Sequence, residues 1–370
     1  MNAFQKLKTL QSELSEMVLE REIQIEGSLA ALLAGVHVLL LGPPGTAKSL
    51  LANAICRAIS LGKFFQVLLT KFTTPEELLG PFSLRGLKED RFERITGGYL
   101  PEANISFLDE VFKASSAVLN ALLGILNERT FRNGTGFQTV PLLTCFGASN
   151  ELPKAEELGA YNDRFAMRYW VEYLHDPTNR VKMAMGELRD APSVTLTLDE
   201  LRDLQAEAMK VEVPQDIRDA LCNEIPALLA ERGIVVSDRS KRTAVRVLKA
   251  IAYLRGNTAV TSDELEVLAD MVWAKPEQRI EVLKVVTPYG NPLNLKAIEF
   301  LDQATELFQS WEKSADLQTV GMQVSKALKE ILAAIDSEVK DRPDSKTVKL
   351  RATREKVASF QSAIWKKVMG

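Results

Sequence analysis

The chain has 370 residues, 46% of them hydrophobic, and its 46 Lys and Arg residues nearly balance its 49 Asp and Glu residues. A chain of this length is expected to form two or three domains with a large buried core. The near-neutral charge excludes a strong overall field that would steer the molecule onto nucleic acid or an anionic membrane surface. Protein partners are therefore favoured over nucleic acid and membranes.

The sequence shows neither a secretion signal nor a membrane span. Residues 1–17 lack the uninterrupted apolar core of a signal peptide. The most apolar stretch, residues 29–41, is interrupted by Gly35 and His37 and is too short to cross a bilayer. A cytoplasmic location is expected.

The cysteine and histidine content argues against a structural zinc site. The only histidines are His37 and His175, and no closely spaced Cys or His pair supplies a ligand set. His37 falls inside a strand pattern and is expected to be a packed core residue. Three widely separated cysteines in apolar surroundings suit reduced core thiols: Cys56, Cys145 and Cys222.

The N-terminal third alternates between helical and strand patterns. Apolar residues at helical spacing predict a helix from Phe4 to Val18 and a second over 23–34, which Gly35 ends. Strand 38–41, a helix to about Ser60, an apolar run at 64–69 and a helix capped near Thr74 follow. This βαβα order predicts a parallel sheet covered by helices on both faces, with ligands at the carboxyl ends of the strands.

The most informative segment lies between the strand 38–41 and the helix that follows it. Its backbone N–H groups and the helix N-terminus can surround a polyphosphate, Lys48 can reach the outer phosphates, and the Ser49 hydroxyl can hold Mg²⁺. The usual pattern is GxxxxGK[ST], and Ala47 replaces its second glycine, which is acceptable only if that residue already has helical dihedrals. The expected phosphate-binding residues are Gly42, Pro43, Pro44, Gly45, Thr46, Ala47, Lys48, Ser49 and Leu50.

Two further strand ends carry polar groups suited to phosphoanhydride hydrolysis. Asp109 and Glu110 follow the apolar run 105–108, where Asp109 can hold the Mg²⁺ shell and Glu110 can polarise the attacking water. Asn150 follows the strand pattern 142–148, where its amide can orient the water or contact the terminal phosphate. The alternatives are a solvated acidic turn and a simple turn-forming asparagine.

Two segments interrupt the alternation, and helices dominate the second half. Residues 82–100 suggest a hairpin inserted within a helix, and residues 130–140, centred on Asn133-Gly134, predict a second hairpin. Helical patterns prevail after Pro177, and three more amphipathic segments follow residue 288. The expected domains are an N-terminal helix (1–20), an α/β nucleotide-binding core (21–176), an all-α domain (177–288) and a C-terminal helical extension (289–370).

In order and spacing, five motifs resemble those of the AAA+ ATPases and, more narrowly, of the MoxR family. They are residues 42–49, Leu108-Asp109-Glu110, Ser149-Asn150, Asp163-Arg164-Phe165 and Ser237-Asp238-Arg239. In that family GPPGTAKS is a usual Walker A motif. The resemblance covers about residues 21–286, and the Ser-Asp-Arg motif and long helical tail look most like the RavA-like branch. The tail is too short for that branch's full accessory domain, so the branch's particular partners are not carried over.

The resemblance assigns a role to each motif. It implies that residues 42–49 are Walker A, that Asp109 and Glu110 are Walker B, and that Asn150 is sensor 1. Arg164 would be the arginine finger given to the neighbouring subunit, although Arg168 is an open alternative, as is an ion pair of Arg164 with Asp163. Arg239 would be sensor 2 on an all-α lid, or a residue in the first turn of a helix capped by Ser237.

The implied fold is a three-layer αβα P-loop core with a parallel sheet and β-hairpin inserts, an all-α lid and a C-terminal helical extension. The implied function is Mg²⁺-dependent hydrolysis of ATP to ADP at the subunit interfaces of a homo-oligomeric, hexameric ring. The ring would act like a chaperone in the remodelling or maturation of a partner protein, and a protein with a von Willebrand factor A (VWA) domain is the expected partner. A nucleic-acid motor is a second possibility, weakened because residues 130–140 offer only one basic residue, Arg132. A nucleotide-gated scaffold ring with negligible turnover is a third.

Overall fold

A five-stranded parallel sheet, in the order β3-β4-β7-β1-β8, lies at the centre of the N-terminal part of the chain. The structure is a computed structural model, and it describes residues 1–151, 164–290, 292–314, 316–340, 342 and 344–369. The strands are β1 (Val38–Leu41), β2 (Ile59–Ser60), β3 (Phe64–Leu68), β4 (Ile105–Asp109), β5 (Thr130–Asn133), β6 (Gly136–Thr139), β7 (Thr144–Ser149), β8 (Met167–Trp170) and β9 (Leu196–Thr197).

Helices cover both faces of this sheet, as predicted. They are α1 (Ala3–Met17), α2 (Glu22–Ala34), α3 (Lys48–Arg57), α4 (Pro75–Leu79), α5 (Leu84–Lys88) and α6 (Ser116–Glu128). The Asn2 side chain caps α1 by accepting from Gln5 N, and Gly35 ends α2 in the left-handed conformation with φ 64°. Helix α6 packs its apolar side against the strands through Val118, Leu122 and Ile125, all buried.

Helix α2 lies close to β8 because residue 27 is a glycine. A Cβ built on Gly27 would lie 1.6 Å from Tyr169 Oη and 2.7 Å from Tyr169 Cζ. Tyr169 is itself 3% exposed. The absence of a side chain at position 27 therefore sets the separation between this helix and the edge of the sheet.

The two predicted insertions form differently. The hairpin at 130–140 is confirmed, since β5 and β6 pair antiparallel around a turn containing Gly134. The expected hairpin in 82–100 is reduced to one antiparallel bridge between Phe82 and Arg94. Ser83 instead caps α5 by accepting from Gly86 N at 3.1 Å, so a local helix replaces a strand ladder.

Residues 177–279 are mainly helical and belong to the same compact unit as the sheet, which spans Met1–Arg279. The helices are α7 (Pro177–Ala184), α8 (Leu198–Ala208), α9 (Gln215–Asp219), α10 (Ile225–Ala230) and α11 (Asp238–Leu254), with a π-helical turn at Ala220–Glu224 and a 3₁₀ segment at Ser262–Asp270. Strand β9 pairs with β2 in parallel, a link that the helical pattern did not predict.

Ion pairs and hydrogen bonds join this helical region to the core. Arg255, the C-cap residue of α11, makes a bidentate pair with Glu26 on α2, at 2.9 and 3.0 Å, and contacts buried Glu264 of the 3₁₀ segment at 3.2 Å. Gln205 Nε2 donates to Leu32 O at 2.7 Å. These contacts attach the helical region to helix α2.

Residues Ile280–Gly370 form a second compact unit. It contains α13 (Pro292–Glu312), α14 (Leu317–Val339) and α15 (Asp344–Met369), each packed against the other two, and α12 (Gln278–Val286) leads into it. Its core includes Trp311, Leu328, Ile335 and Val357. The C-terminal amphipathic segments thus form a small helical bundle. Within the described ranges, every helix is too short or too polar to span a bilayer.

The buried groups of the core behave largely as the sequence predicts. His37 is 3% exposed, and the backbone N–H of Cys145 donates to its Nδ1 at 2.9 Å. Its Nε2 lies 2.9 Å from Leu126 O and 2.6 Å from Arg129 Nη1. Burial, reinforced by the nearby Arg129 guanidinium, holds the His37 pKa well below its usual value. The prediction of three core thiols is wrong for Cys222, which is exposed on the π-helical turn, whereas Cys56 and Cys145 are buried.

Candidate active site

The loop between β1 and α3 is shaped by two glycines in the left-handed half of backbone space. Gly42 has φ 142° and Gly45 has φ 77°. A Cβ on Gly42 would lie 2.1 Å from Val171 O, so a side chain at this position would collide with the backbone after β8. The tight turn therefore depends on glycine at position 42 for space and at position 45 for conformation.

Ala47 departs from the expectation of ordinary helical dihedrals. It has φ 68° and ψ 21°, a left-handed conformation, and serves as the N-cap residue of α3. For an L-residue this conformation costs roughly 1–2 kcal/mol. The loop therefore carries strain where the general phosphate-loop pattern has glycine.

Lys48 lies folded over the loop and is 7% exposed. Its Nζ donates to Gly42 O at 2.7 Å, to Pro43 O at 2.8 Å and to Asn150 Oδ1 at 3.0 Å. Burial lowers the Lys48 pKa, and the charges of Asp109 and Glu110 oppose that shift. The ammonium is thus surrounded by oxygen acceptors beside two carboxylates.

The loop presents donors suited to an anion. Among the described residues, the backbone N–H groups of Gly45, Thr46 and Ala47 donate to no acceptor. They lie at the start of α3, where the helix dipole favours negative charge. The residues present therefore fit a bound polyphosphate.

The strand register brings the carboxyl ends of the three predicted strands together at the same end of the sheet. Leu41 pairs with Ser149, and Leu108 pairs with Gly147. The loop, the carboxylate pair and Asn150 consequently follow three adjacent strands, β1, β4 and β7. The sequence placed these groups together correctly.

Asn150 bridges the loop lysine and the carboxylate of Glu110. Its Oδ1 accepts from Lys48 Nζ, and its Nδ2 donates to Glu110 Oε1. Glu110 is 9% exposed and adopts a left-handed conformation with φ 52°. Its Oε2 accepts no hydrogen bond within the described parts of the chain, yet lies 3.3 Å from Lys113 Nζ, a contact of charges with unsuitable hydrogen-bond geometry.

Asp109 has a different environment from its neighbour. Burial raises the Asp109 pKa, and the negative charge of Glu110 raises it further. Two of the contacts that lower this pKa are the Glu110 backbone N–H, which donates to Asp109 Oδ1 at 3.0 Å, and the charge of Lys48. No group of three or more His, Cys, Asp or Glu within the described residues forms a complete metal cage. Ser49 and Asp109 supply a hydroxyl and a carboxylate, which suits Mg²⁺ bound mainly through substrate phosphates and water.

The two candidate arginines have different surroundings. Arg168 is 5% exposed on β8, and its guanidinium carbon lies 5.5 Å from the Trp273 ring centroid. Arg164 is partly exposed, and its Nε and Nη2 each lie 3.1 Å from the amide oxygen of Asn127 when that amide is oriented to accept. Asp163, the proposed alternative partner of Arg164, lies outside the described residues.

Arg164 lies at the amino ends of the strands, whereas the phosphate loop of its own chain lies at their carboxyl ends. It precedes β8, whose first residue, Met167, pairs with the first residue of β1, while the loop follows the last residue of β1. Four strand residues separate the edges by about 10 Å at roughly 3.3 Å per residue. This position does not favour contact between Arg164 and the nucleotide of its own chain.

Arg239 is exposed in the first turn of α11. Ser237 caps that helix by accepting from Ser240 N at 3.1 Å, so the capping interpretation holds for the serine. The neighbouring carboxylate, Asp238, forms its ion pair with Lys241 at 3.2 Å and not with Arg239.

An apolar cleft beside the loop was not predicted from the sequence. It has a volume of about 180 Å³ and is bordered by the loop, the end of α1 and the chain around α7. Its apolar lining is Met17, Val18, Leu19, Leu50, Tyr173, Leu174, Met183 and Leu188. These residues come from three distant stretches of the sequence, and three of them, Leu50, Tyr173 and Met183, are exposed.

Comparisons with known proteins agree with this geometry. Residues 5–206 match the model of the MoxR domain found in MoxR-vWA-beta-propeller ternary systems, and residues 212–286 match an AAA lid domain. The chain is 38% identical to an uncharacterised protein of Methanocaldococcus jannaschii over 90% of this chain and 88% of that protein. It is 24% identical to the chaperone MoxR1 of Mycobacterium tuberculosis over 70% of this chain and 72% of that protein.

A solved structure from Cytophaga hutchinsonii, described as a candidate ATPase, shares the fold. Its TM-score is 0.63 at 22% identity, and the match covers 78% of this chain and 95% of that one. The parallel sheet, the phosphate loop and the two matched domain models together show that the chain belongs to the MoxR family of AAA+ ATPases.

Proposed function

We propose that the protein hydrolyses ATP to ADP and phosphate in a Mg²⁺-dependent reaction and uses the energy to remodel a partner protein. The observation that carries this proposal is the hydrogen-bonded chain from Lys48 through Asn150 to Glu110 at one edge of the sheet. It links a phosphate-binding cation to a carboxylate with one buried oxygen unbonded among the described residues. That arrangement suits a carboxylate that polarises an attacking water.

Each group has a distinct task in this proposal. The N–H groups of residues 45–47 and the Lys48 ammonium hold the phosphates, and the apolar cleft takes the adenine ring. Ser49 and Asp109 would hold Mg²⁺, which neutralises charge on the transferring phosphoryl group. Glu110 accepts hydrogen bonds from the attacking water, and Asn150 orients it.

We propose further that the site is completed by a neighbouring subunit in a hexameric ring. The support is the position of Arg164 at the end of the strands opposite its own loop. A head-to-tail ring pairs two different surfaces of neighbouring subunits, so a residue far from its own loop can meet the loop of the neighbour. A guanidinium beside the γ-phosphate stabilises charge in the transition state. Arg168 is less suitable, since it is buried against Trp273 in its own chain.

Nucleotide sensing involves the helical lid in this proposal. Arg239 would contact the phosphates from α11, and Arg255 joins that helix to the core through Glu26. We keep the boundaries 1–20, 21–176, 177–288 and 289–370 for the N-terminal helix, core, lid and extension. The loss of the γ-phosphate on hydrolysis would thus be transmitted to the lid through α11.

The partner is proposed to be a VWA-domain protein in the cytoplasm. The support is the description of the matched family model, a MoxR domain in MoxR-vWA-beta-propeller ternary systems. A nucleic-acid motor is disfavoured because the β5–β6 hairpin has one basic residue, Arg132, and exposes Phe137. A scaffold ring would instead show negligible turnover.

The substitution Glu110→Gln tests the proposal, with Glu128→Gln, an exposed residue at the end of α6, as the control. We expect Glu110→Gln to retain ATP binding and to lose at least about 100-fold in turnover, because the amide cannot accept a proton. The control is expected to hydrolyse ATP at the wild-type rate. Normal turnover by Glu110→Gln would contradict the proposed reaction.

A further inference from the structure

The C-terminal bundle contains an open groove between α14 and α15 that lies outside both matched family regions. Its volume is about 230 Å³. Gly321 and Ser325, one helical turn apart on α14, leave the space, and Ile364 of α15 contributes to the lining. Gln361 Nε2 donates to Ser325 O at 3.2 Å, which fixes the two helices beside the groove. We call this site the bundle groove.

Two large apolar side chains border the bundle groove and remain accessible. Trp365 is 46% exposed and Met322 is 61% exposed. The bundle core is formed by other residues, among them Trp311 and Leu328, which are almost fully buried. Tryptophan and methionine are enriched in interfaces, where tryptophan anchors binding and methionine adapts its shape to a partner.

The two charged side chains that line the bundle groove are both lysines. Residues 318–329 and 356–370 contain five lysines and no Asp or Glu. Lys326 and Lys329 line the groove, are exposed, and form no ion pair with any residue that the structure describes. Glu330 follows directly on α14 and is the nearest acid in sequence on that helix. An apolar groove bordered by unpaired cations is complementary to an apolar surface bordered by carboxylates.

We propose that the bundle groove binds an acidic amphipathic helix of a partner protein. Leu or Phe side chains at i, i+3 and i+4 would pack on the exposed Met322 and Trp365, and flanking Asp or Glu would pair with Lys326 and Lys329. The small residues at 321 and 325 let the partner's backbone approach closely. This binding does not require ATP hydrolysis, so its test is separate from that of the proposed reaction.

The test uses the full chain and a fluorescein-labelled helical peptide of about 20 residues with one Leu/Phe face and Glu elsewhere. A matched peptide has Lys in place of every Glu. We expect the acidic peptide to bind in about the micromolar range by fluorescence anisotropy, and the basic peptide not to bind. Trp365→Ala and Lys326→Glu/Lys329→Glu are each expected to weaken binding by at least about 10-fold.

The control Lys275→Glu/Lys340→Glu reverses two exposed lysines that do not line the groove and changes the net charge equally. We expect it to bind the acidic peptide like wild type. The proposal is overturned if the acidic peptide fails to bind, if both peptides bind equally, or if the groove variants behave like the control. Groove-dependent binding to phosphatidylserine vesicles or DNA in place of the peptide, or groove-dependent dimerisation of the chain, would also overturn it.

Discussion

Substituting Gly27 by alanine tests how closely α2 lies against the sheet that carries the phosphate loop. A Cβ at this position would be 1.6 Å from Tyr169 Oη, 2.7 Å from Tyr169 Cζ and 3.1 Å from Met167 Cε. Carbon atoms pack at about 3.5–4.0 Å, so the tyrosine must move by roughly 2 Å. Because Tyr169 is 3% exposed, the ring has no open solvent into which to move.

The magnitude follows from two opposing effects. Alanine favours the helix by about 1 kcal/mol relative to glycine, whereas overpacking in a close-packed core costs about 1–3 kcal/mol. With a clash this severe we take the upper end and expect a net destabilisation of about 2 kcal/mol. Gly124→Ala is the matched control on α6, since its Cβ would meet only Thr130 O at 3.6 Å. That variant is expected to gain up to about 1 kcal/mol.

The assay is native-state hydrogen exchange of β1 and β8 read by mass spectrometry, which reports the stability of this unit separately from the C-terminal bundle. Tyr169→Phe removes the hydroxyl and is expected to recover part of the loss in the double variant with Gly27→Ala. If Gly27→Ala is as stable as Gly124→Ala, the close approach of α2 to β8 is refuted.

Three other predictions concern the loop, the core and the arginines. In urea unfolding, Ala47→Gly is expected to be at least as stable as wild type. Gly45→Ala is expected to lose about 1 kcal/mol of unfolding free energy, because Gly45 has φ 77°. The reverse order of stability would contradict the strain assigned to Ala47. Since the folded state holds the His37 pKa low, the unfolded chain binds a proton that the folded chain excludes, and stability is expected to fall as pH drops below about 6.5, by up to about 1.4 kcal/mol per pH unit. His37→Gln is expected to be less stable but to lack this contribution, and an unchanged slope would exclude His37 as its source. Arg168→Ala is expected to lower the unfolding free energy by about 2 kcal/mol. Arg164→Ala is expected to keep the fold and to lose about 10³-fold in ATPase rate. If Arg168→Ala instead lost the ATPase rate and kept its stability, Arg168 would be the trans-acting residue.

Local patterns predicted the core well because its elements are specified by neighbouring residues. The spacing of apolar residues located α1 and α2, and Gly35 marked the end of α2. The strand ends at Asp109 and Ser149 follow from short apolar runs, and parallel pairing then places their polar residues at one edge. The proposed hydrolytic groups were therefore accessible from sequence.

Features that depend on distant residues or on small backbone changes were not accessible. The apolar cleft joins the end of α1 to the chain around Tyr173, about 150 residues later, and no local period connects them. Strand β9 has two residues, too few for a sequence period, and it pairs with β2, about 137 residues earlier in the chain. Ala47 adopts a left-handed conformation against the usual preference of alanine, so the expectation of helical dihedrals at this residue was wrong.

The most direct test of the central claim is to mix two inactive chains, Glu110→Gln and Arg164→Ala, and measure ATPase activity. Each proposed site uses the loop and Glu110 of one subunit and Arg164 of its neighbour. In the mixture, a site is intact when an Arg164→Ala chain supplies the loop and Glu110 and a neighbouring Glu110→Gln chain supplies Arg164. Random assembly of equal amounts makes about one interface in four intact, so we expect about a quarter of the wild-type rate. Activity that stays at the level of the separate variants, although both chains enter the same ring, would contradict a site completed by two subunits.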